Sequence, residues 1–233
     1  MPAKFIKSLN YAVEGVLHAA KTQRHVRIHF LVIIVLLIVC FILGVQKNDF
    51  IIVSLIAALV IVSEIFNSAV ETLVDMVSPK KNEMARVTKD MAAGAVLISA
   101  GTAIIAACYI LLPYAESFYR NGFRITIHEN GDIALSSMMI VTLSVIMIKS
   151  YFGKGTPLRG GMPSGHSALS FSVIVSAIYT FDSIILIGII AFAGLLISIS
   201  RIIQKIHTPL EVFAGIMTGS IITWGMFMIF AAK

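Results

Sequence analysis

Charged residues are scarce in this sequence, and their scarcity excludes most classes of protein. Asp, Glu, Lys and Arg make up 13% of the 233 residues, while hydrophobic residues reach 58%; a soluble domain carries roughly 25% charged residues. This composition excludes a soluble enzyme, a disordered chain and, despite the net charge of +6, a nucleic-acid-binding domain. The two cysteines, Cys40 and Cys108, lie inside apolar runs and provide no disulfide framework. What remains is a helical integral membrane protein.

Seven apolar runs, separated by short polar segments, fill most of the chain. With their flanking polar residues they approach the length of about 20 residues that a membrane helix needs. The predicted spans are residues 30–45, 50–77, 92–114, 133–148, 168–181, 184–199 and 210–232. Before them, apolar residues at helical spacing with lysines on the other face predict an amphipathic helix that lies on the membrane surface; a helix that packs against the soluble side of the protein is the alternative.

The longest polar segment, residues 113–132, holds two turn signals, Asn-Gly at 121 and at 130, and predicts a domain boundary. We therefore expect a first domain at 1–113, an extracytoplasmic linker at 114–132 and a second domain at 133–233. The predicted fold class is an all-α membrane protein with an amphipathic N-terminal surface helix, a three-span bundle and a four-span bundle.

The distribution of basic residues predicts the orientation in the membrane, because cytoplasmic loops are enriched in Lys and Arg. Seven crossings with a cytoplasmic N-terminus leave the C-terminus extracytoplasmic. They place all but four of the 18 basic residues inside. Those four are Lys47, Arg120, Arg124 and Lys233.

The second span ends in a polar stripe. Its offsets of 0, 3, 7 and 11 residues put all members on one helical face; they are Glu64, Asn67, Glu71 and Asp75. We expect Glu64 to lie near the edge of the hydrocarbon core, where inserting an acidic residue costs roughly 2.5–3.5 kcal/mol. Such a cost indicates a functional use, and loss of hydration raises the pKa of a carboxylate towards that of a general base. The other oxygens suit Mg²⁺ with nucleotide phosphates, and Lys89 and Asp90 would face the same pocket. The pattern favours phosphoryl transfer to a membrane alcohol; a polar inter-helix seam and a transporter ion path are the alternatives.

Several segments of the N-terminal half also resemble a known family. "KFIKSLNYAVEGV", "RIHF", "SEIFNSAVETLVDMV" and "RVTKDMAAGAVLI" resemble the small prokaryotic diacylglycerol kinase / undecaprenol kinase family over about residues 1–113. The resemblance implies a three-span, homotrimeric lipid kinase that uses Mg²⁺ and ATP, with active sites shared between protomers.

The same resemblance implies roles for individual residues. Glu64 is then the catalytic base and Glu71 a metal ligand. Gln23, which stands where the family often has a metal-binding Glu, is a second candidate ligand. The implied nucleotide-binding residues are Asn67, Asp75, Lys89 and Asp90. The R-I-H segment tilts the expected substrate towards undecaprenol rather than diacylglycerol.

A second polar set stands at the span ends of the C-terminal half. Ser164 fits an N-cap for the fifth span, and the amides that follow, with Gly165 permitting close approach, form an anion site. His166 beside them is a candidate general acid. His207 and Glu211 are four residues apart, so on a helix the carboxylate can hold the imidazole and raise its nucleophilicity. The basic residues that can neutralise phosphate oxygens are Lys154, Arg159 and Arg201. The first two of these could equally act only as orientation determinants.

This set resembles the type-2 phosphatidic acid phosphatase superfamily over about residues 133–233. P-S-G-H is intact at 163–166, and S-R-x5-H-x3-E stands at 200–211, with Glu211 where Asp is usual. The resemblance implies phosphohydrolysis without a cofactor through a phosphohistidine on His207, with His166 protonating the leaving lipid oxygen. The implied phosphate-binding residues are Ser164, Gly165 and Arg201. The superfamily's K-x6-R-P signature is missing; Lys149, Lys154 and Arg159 precede P-S-G-H instead, and Arg159 takes the signature's role.

Together these observations predict a bifunctional enzyme of a bacterial cell membrane, with both sites on the cytoplasmic face. The kinase half would phosphorylate undecaprenol or diacylglycerol, and the other half would hydrolyse undecaprenyl diphosphate or phosphatidylglycerophosphate. The expected partners are membrane lipids and further copies of the chain, a trimer for the kinase half, and no nucleic acid. Two alternatives remain: a kinase with an inactive, regulatory second half, and an ion-coupled transporter with Glu64 and Glu71 as its relay.

Overall fold

The computed structural model describes residues 2–80, 82–152 and 160–231. Within these ranges the chain forms eight α-helices and no β-strand, apart from one isolated bridge between His128 and Ala231. The helices are α1 (Pro2–Thr22), α2 (Arg24–Leu43), α3 (Lys47–Val77), α4 (Glu83–Arg120), α5 (Asn130–Phe152), α6 (Gly165–Thr180), α7 (Ile184–Ile203) and α8 (Pro209–Phe230). The predicted all-α fold is confirmed.

Among the described residues, six helices are long and apolar enough to cross a membrane: α2, α3, α4, α5, α7 and α8. They coincide with six of the seven predicted spans, and the assignment as a membrane protein is confirmed. The predicted fifth span, 168–181, falls on α6. This helix has 16 residues, or about 24 Å, which is less than a hydrocarbon core of about 30 Å. A crossing by α6 therefore stays a prediction.

The third apolar helix is longer than the sequence predicts. α4 has 38 residues and continues through Pro113 to Arg120, so the first part of the predicted linker is helical. It begins where the side chain of Asn82 accepts a hydrogen bond from the Met84 N–H at 3.0 Å, a common N-cap arrangement. Proline removes one N–H donor, but membrane helices tolerate it because neighbouring groups satisfy the freed carbonyl.

Contacts divide the chain into two compact units. Thr22–Ile125 forms the three-helix unit, which contains α2, α3 and α4. Met1–Lys21 and Thr126–Lys233 together form the five-helix unit, which contains α1 and α5 to α8. The functional domain limits 1–113, 114–132 and 133–233 stay predictions.

In the three-helix unit, α3 packs against both α2 and α4. α2 ends at Gly44, whose φ of 71° lies in the left-handed region that glycine adopts without strain. Cys40 and Val53 are buried beside this turn, and the Tyr114 hydroxyl donates to Asp49 Oδ2 at 2.6 Å. These contacts fix the apolar end of the unit, so the polar stripe of α3 lies at its other end.

In the five-helix unit, α6 contacts α5, α7 and α8, and most extensively α8. The two backbones approach closely at Gly219, where an added Cβ would overlap the carbonyl oxygen of Ala168. Small residues allow this approach between membrane helices. Further along, the hydroxyls of Ser172 and Thr223 share a buried hydrogen bond of 2.7 Å, which satisfies both polar groups within the apolar bundle.

α6 reaches both ends of this bundle despite its shortness. Gly165 at its start lines the same cavity as Lys149, near the end of α5. The carbonyl of Tyr179, near the end of α6, accepts a hydrogen bond of 2.7 Å from the side chain of Asn130 at the start of α5. The short helix therefore runs beside α5 over nearly its whole length, and the beginnings of α6 and α8 lie at one end of the unit.

Candidate active sites

The first candidate site forms where α8 begins. Thr208 is the N-cap of α8 and makes a capping box with Glu211, in which each side chain bonds the other residue's backbone N–H. The four-residue spacing brings the Glu211 carboxylate to the ring of His207, with 2.9 Å between Nδ1 and Oε2. A carboxylate only accepts, so Nδ1 donates, and in the neutral ring Nε2 keeps its lone pair. This arrangement leaves Nε2 available as a hydrogen-bond acceptor or a nucleophile.

Glu211 also connects the two sequence motifs. Its Oε1 accepts a hydrogen bond from the Gly161 N–H at 2.9 Å, and its carbonyl oxygen accepts from the Ser164 N–H at 2.9 Å. An added Cβ on Gly215 would overlap the Ser164 carbonyl, so α8 and the P-S-G-H segment meet backbone to backbone. The structure therefore brings together His207, Glu211 and the start of α6, as the sequence predicts.

Ser164 occupies the predicted N-cap position, but its side chain makes no capping hydrogen bond. Its hydroxyl oxygen accepts instead from the hydroxyl of Ser167 at 3.1 Å, and both residues are fully buried. The amides of the first turn of α6 are thus not occupied by the cap side chain. An anion is the ligand that such a helix start favours.

A cavity of about 260 Å³ opens beside the two histidines. His166, His207 and Lys149 contribute its polar groups. Lys149 is buried, with 7% of its surface exposed. It stands among the basic residues that precede P-S-G-H, but the sequence alone assigned it no role in the site, because a lysine at the end of a span is usual in a membrane protein. The residue's burial, which the sequence does not reveal, is the signal that assigns it to the site.

Burial and neighbouring cations act in the same direction on both histidines. Burial lowers the pKa of His207 below its ordinary value, opposed by the hydrogen bond with Glu211 and assisted by the positive charges of Lys149 and Arg201. The pKa of His166, in the first turn of α6, is lowered first by burial and then by Arg201. Burial and the neighbouring cations therefore favour the neutral form of both rings, and the net positive surroundings favour an anionic ligand.

The structure places two of the other predicted phosphate-binding residues near the histidines and does not describe the remaining two. The Nε of Arg201 donates to the Ser200 hydroxyl at 3.3 Å, and its charge acts on both histidines. Gly165 lines the cavity, and a Cβ there would meet only Val145 at an ordinary 3.4 Å. Lys154 and Arg159 lie outside the described residues.

The second candidate site is the polar stripe of α3. Glu64 is buried, with 5% of its surface exposed, although it carries a carboxylate within an apolar helix. One turn further, the Asn67 amide donates to Glu71 Oε1 at 3.4 Å, while the buried Asn67 oxygen has no hydrogen-bond partner among the described residues. The stripe is thus a single helical face, as predicted, with an unsatisfied oxygen beside a carboxylate.

The stripe continues into a cleft of about 640 Å³ between the end of α3 and the start of α4. Lys89 Nζ lies 2.6 Å from Asp75 Oδ1 there, in an ion pair between the two helices. Asp90 instead pairs with Arg86 on the exposed surface of α4, at 2.7 Å. The predicted meeting of Lys89 with the stripe is therefore seen, whereas Asp90 pairs with Arg86 and is not among the residues that line the cleft.

The predicted metal ligands do not form a closed cluster. No group of three or more His, Cys, Asp or Glu residues that could hold a metal occurs in the described parts of the chain. Gln23 is the N-cap residue of α2 and makes no side-chain capping bond. An oxygen pair at Asn67 and Glu71 nevertheless fits Mg²⁺, which binds through one or two carboxylates plus substrate phosphates.

The fold defines an all-helical membrane protein with two units, each of which carries its own polar site. The chain belongs to the prokaryotic diacylglycerol kinase family, whose model matches residues 10–111. Residues 146–233 match the model of the PAP2 superfamily. The chain is therefore a lipid-kinase-family protein fused to a phosphatase-like segment.

Individual relatives cover the first half. Diacylglycerol kinase of Synechocystis sp. is 36% identical over 107 residues, which are 46% of this chain and 61% of that protein. Undecaprenol kinase of Bacillus subtilis is 31% identical over 110 residues, which are 47% of this chain and 89% of that protein. Diacylglycerol kinase of Haemophilus influenzae is 31% identical over 94 residues, 40% of this chain and 80% of that protein. No solved structure matches the chain.

Proposed function

We propose that the chain is a bifunctional lipid enzyme that phosphorylates a lipid alcohol with ATP in one unit and hydrolyses a lipid phosphate or diphosphate in the other. The observation that carries the proposal is the meeting of two distant motifs in one cavity. His166 follows P-S-G at the start of α6, and His207 is held by Glu211 at the start of α8. Such a pair of histidines in a cationic pocket suits transfer of a phosphoryl group.

In the phosphatase reaction, His207 Nε2 attacks phosphorus and forms a P–N bond while the P–O bond to the lipid breaks. His166 gives its proton to the leaving oxygen. Water then attacks the phosphohistidine, His166 takes the proton of that water, and the P–N bond breaks to release phosphate. His166 must be protonated for the first step. A bound phosphate dianion supplies the negative charge that raises its affinity for that proton.

Phosphate binding is assigned to Lys149, Arg201 and the amides that follow Ser164, with Gly165 leaving the pocket open. Lys149 is supported by its burial in the cavity wall. Charged donors to phosphate form the stronger class of hydrogen bond. This half needs no cofactor.

In the kinase reaction, Glu64 accepts the proton of the lipid hydroxyl. The oxygen of that hydroxyl forms a bond to the γ-phosphorus of ATP, and the P–O bond between the γ-phosphorus and ADP breaks. Glu64 is supported by its burial on the stripe. Asn67 and Glu71 would hold Mg²⁺, with Gln23 as a further oxygen donor. Bound Mg²⁺ neutralises charge on the ATP phosphates. Asp75 and Lys89, which line the cleft, would bind the nucleotide directly, and Asp90 would act through its ion pair with Arg86, which also lines the cleft.

The lipid alcohol is undecaprenol in our preferred version, and diacylglycerol in the other. Both names occur among the relatives, as undecaprenol kinase and diacylglycerol kinase. We also propose that the chain works as a homo-oligomer, a trimer in its kinase part, in a bacterial cell membrane. Its N-terminus and both sites face the cytoplasm, and its C-terminus faces outward.

A substrate panel tests the proposal. The purified full chain is incubated with undecaprenol or diacylglycerol plus Mg-ATP, and separately with undecaprenyl diphosphate or phosphatidylglycerophosphate. We expect a phosphorylated lipid in the first set and free phosphate in the second. Phosphate release from phosphatidylglycerophosphate alone would remove the polyprenyl version. If neither set of substrates gave any product, the proposed function would be overturned.

A further inference from the structure

The cavity beside the histidines has a wall that the two motifs do not supply. Val13 and Leu17 of α1 line it, together with Ile146 of α5 and Leu169 of α6. Leu17 is buried, with 3% of its surface exposed. The two α1 residues are four apart, so they present one face of that helix to the cavity.

This contribution crosses the division that the families make in the sequence. The match to the diacylglycerol kinase family begins at residue 10 and so includes Val13 and Leu17. In the folded chain, however, Met1–Lys21 belongs to the same compact unit as α5 to α8. A helix from the kinase segment therefore completes the phosphatase cavity.

The cavity has both ionisable and aliphatic side chains in its wall. His166, His207 and Lys149 supply the ionisable groups to which a phosphate would bind, and five aliphatic residues line the same cavity: Val13, Leu17, Val145, Ile146 and Leu169. The carbons of a lipid that follow its phosphate need an apolar surface, because transfer of methylene groups out of water is favourable. At about 260 Å³ the cavity is slightly below the usual range of ligand pockets, roughly 300–1,000 Å³. It suits a headgroup with the first carbons of a chain.

We propose that Val13 and Leu17 form part of the binding site for the hydrocarbon chain of the lipid phosphate, so that α1 sets the chain specificity of the phosphatase unit. The inference rests on the proposed phosphatase function. α1 is then a specificity element, and it takes no part in the chemical step.

The test compares a substrate with a chain and one without, namely farnesyl diphosphate and inorganic pyrophosphate, using the purified full chain. Val13→Phe fills the cavity, and we expect its kcat/KM for farnesyl diphosphate to fall about tenfold, mainly through KM. Its kcat/KM for pyrophosphate should stay within about twofold. Ala12→Phe adds the same bulk to the same helix at an exposed position and should change neither value. Val13→Ala, which cannot obstruct folding by its size, should raise KM for farnesyl diphosphate alone.

A second readout separates this inference from the proposed function. Farnesyl phosphonate, which is not hydrolysed, should raise the Tm of the wild type more than that of Val13→Phe, and methylphosphonate should not distinguish them. Hydrolysis of farnesyl diphosphate that is the same in wild type and Val13→Phe would overturn the inference and leave the function standing. Equal losses for both substrates, or the same loss in Ala12→Phe, would also overturn it. A chain-dependent Tm shift without any hydrolysis would overturn the function and support the chain site.

Discussion

The two candidate sites differ in how completely a single chain encloses them. In the five-helix unit the His207 side chain is 1% exposed and bonded to Glu211. In the three-helix unit the side chain of Asp75 is 66% exposed. α4, all of which is described, has no buried residue. In α5, by contrast, a third of the most apolar 18-residue segment is buried.

The difference shows two ways of building a polar site in a membrane protein. The histidine site depends on close packing between α6 and α8, so small residues at their contact are part of its construction. The stripe of α3 depends on helical spacing alone and leaves broad apolar surfaces on α4 for lipid or for further copies of the chain. The proposed trimer of the kinase part agrees with those open surfaces.

Loss of the nucleophile should have the largest effect and should separate the two units. We expect His207→Ala to reduce phosphate release by about 10³-fold or more, because no other group forms the P–N bond, and to leave lipid kinase turnover unchanged. Assays of both activities on the same preparation check this. Unchanged phosphate release would favour an inactive second half.

The reciprocal change is Glu64→Gln. It keeps the shape of a side chain that is buried on α3 but removes the proton acceptor, so kinase turnover should fall by about 10²-fold or more while phosphate release persists. Glu116→Gln, on the exposed surface of α4, is the matched control and should behave as wild type. A transporter would instead show no ATP consumption with added lipid alcohol.

Two glycines of α8 test whether the histidine site depends on close packing between α6 and α8. Gly219→Ala would overlap the Ala168 carbonyl, whereas Gly225 on the same helix has nothing within 4 Å of an added Cβ. Overpacking costs about 1–3 kcal/mol, so Gly219→Ala should lower the Tm and the phosphatase activity, and Gly225→Ala should change neither. Thermal unfolding with both activity assays checks the pair. Equal behaviour of the two variants would contradict the close approach of α6 and α8.

The pH profile gives a smaller, graded test. The nucleophile must be neutral, and burial lowers the pKa of His207 below its ordinary value of 6.5. The acidic limb of phosphatase kcat/KM should therefore lie below pH 6.5. Because His166 must be protonated and burial lowers its pKa as well, activity should also decline as pH rises above neutrality. The stability that the neutral ring contributes is present above 6.5 and is lost as pH falls below that value, since the unfolded state then binds the extra proton. An acidic limb above 6.5 would contradict this environment.

Glu211→Asp should have the smallest effect. The longer Glu side chain reaches both His207 and the Gly161 N–H, and the shorter one cannot keep both bonds from the same backbone position. We expect phosphatase activity to fall about tenfold, the size of one lost hydrogen bond to a charged group, with the kinase unaffected. A shift of the acidic limb of the pH profile should accompany the loss, because Glu211 opposes the lowering of the pKa of His207. An unshifted limb would assign Glu211 a purely structural role.

The sequence predicted the helices well because apolar runs and helical spacing are local. It also placed Glu64, Asn67, Glu71 and Asp75 on one face, since one helix determines their arrangement. Contacts between helices were harder to predict from the sequence, because they depend on residues far apart in the chain. Lys149 was not recognised as part of the cavity, and its burial depends on how α5 packs against its neighbours.

The length of α4 and the place of α1 were missed for similar reasons. Pro113 is a common helix breaker in soluble proteins, but a membrane helix tolerates it. α1 joins the kinase segment in sequence and the five-helix unit in space. The packing of α1 with α5 to α8 depends on contacts between residues that are more than 100 positions apart in the sequence, and local sequence patterns do not reveal such contacts.

The central claim is that one chain carries two independent phosphate chemistries, and metal dependence tests it most directly. The purified wild type receives γ-labelled ATP, undecaprenol, unlabelled undecaprenyl diphosphate and Mg²⁺, with and without excess EDTA. The account predicts that label enters the lipid only with Mg²⁺, while the release of unlabelled phosphate from the diphosphate continues in EDTA. Loss of both reactions in EDTA, or the absence of either reaction with Mg²⁺ present, would contradict it.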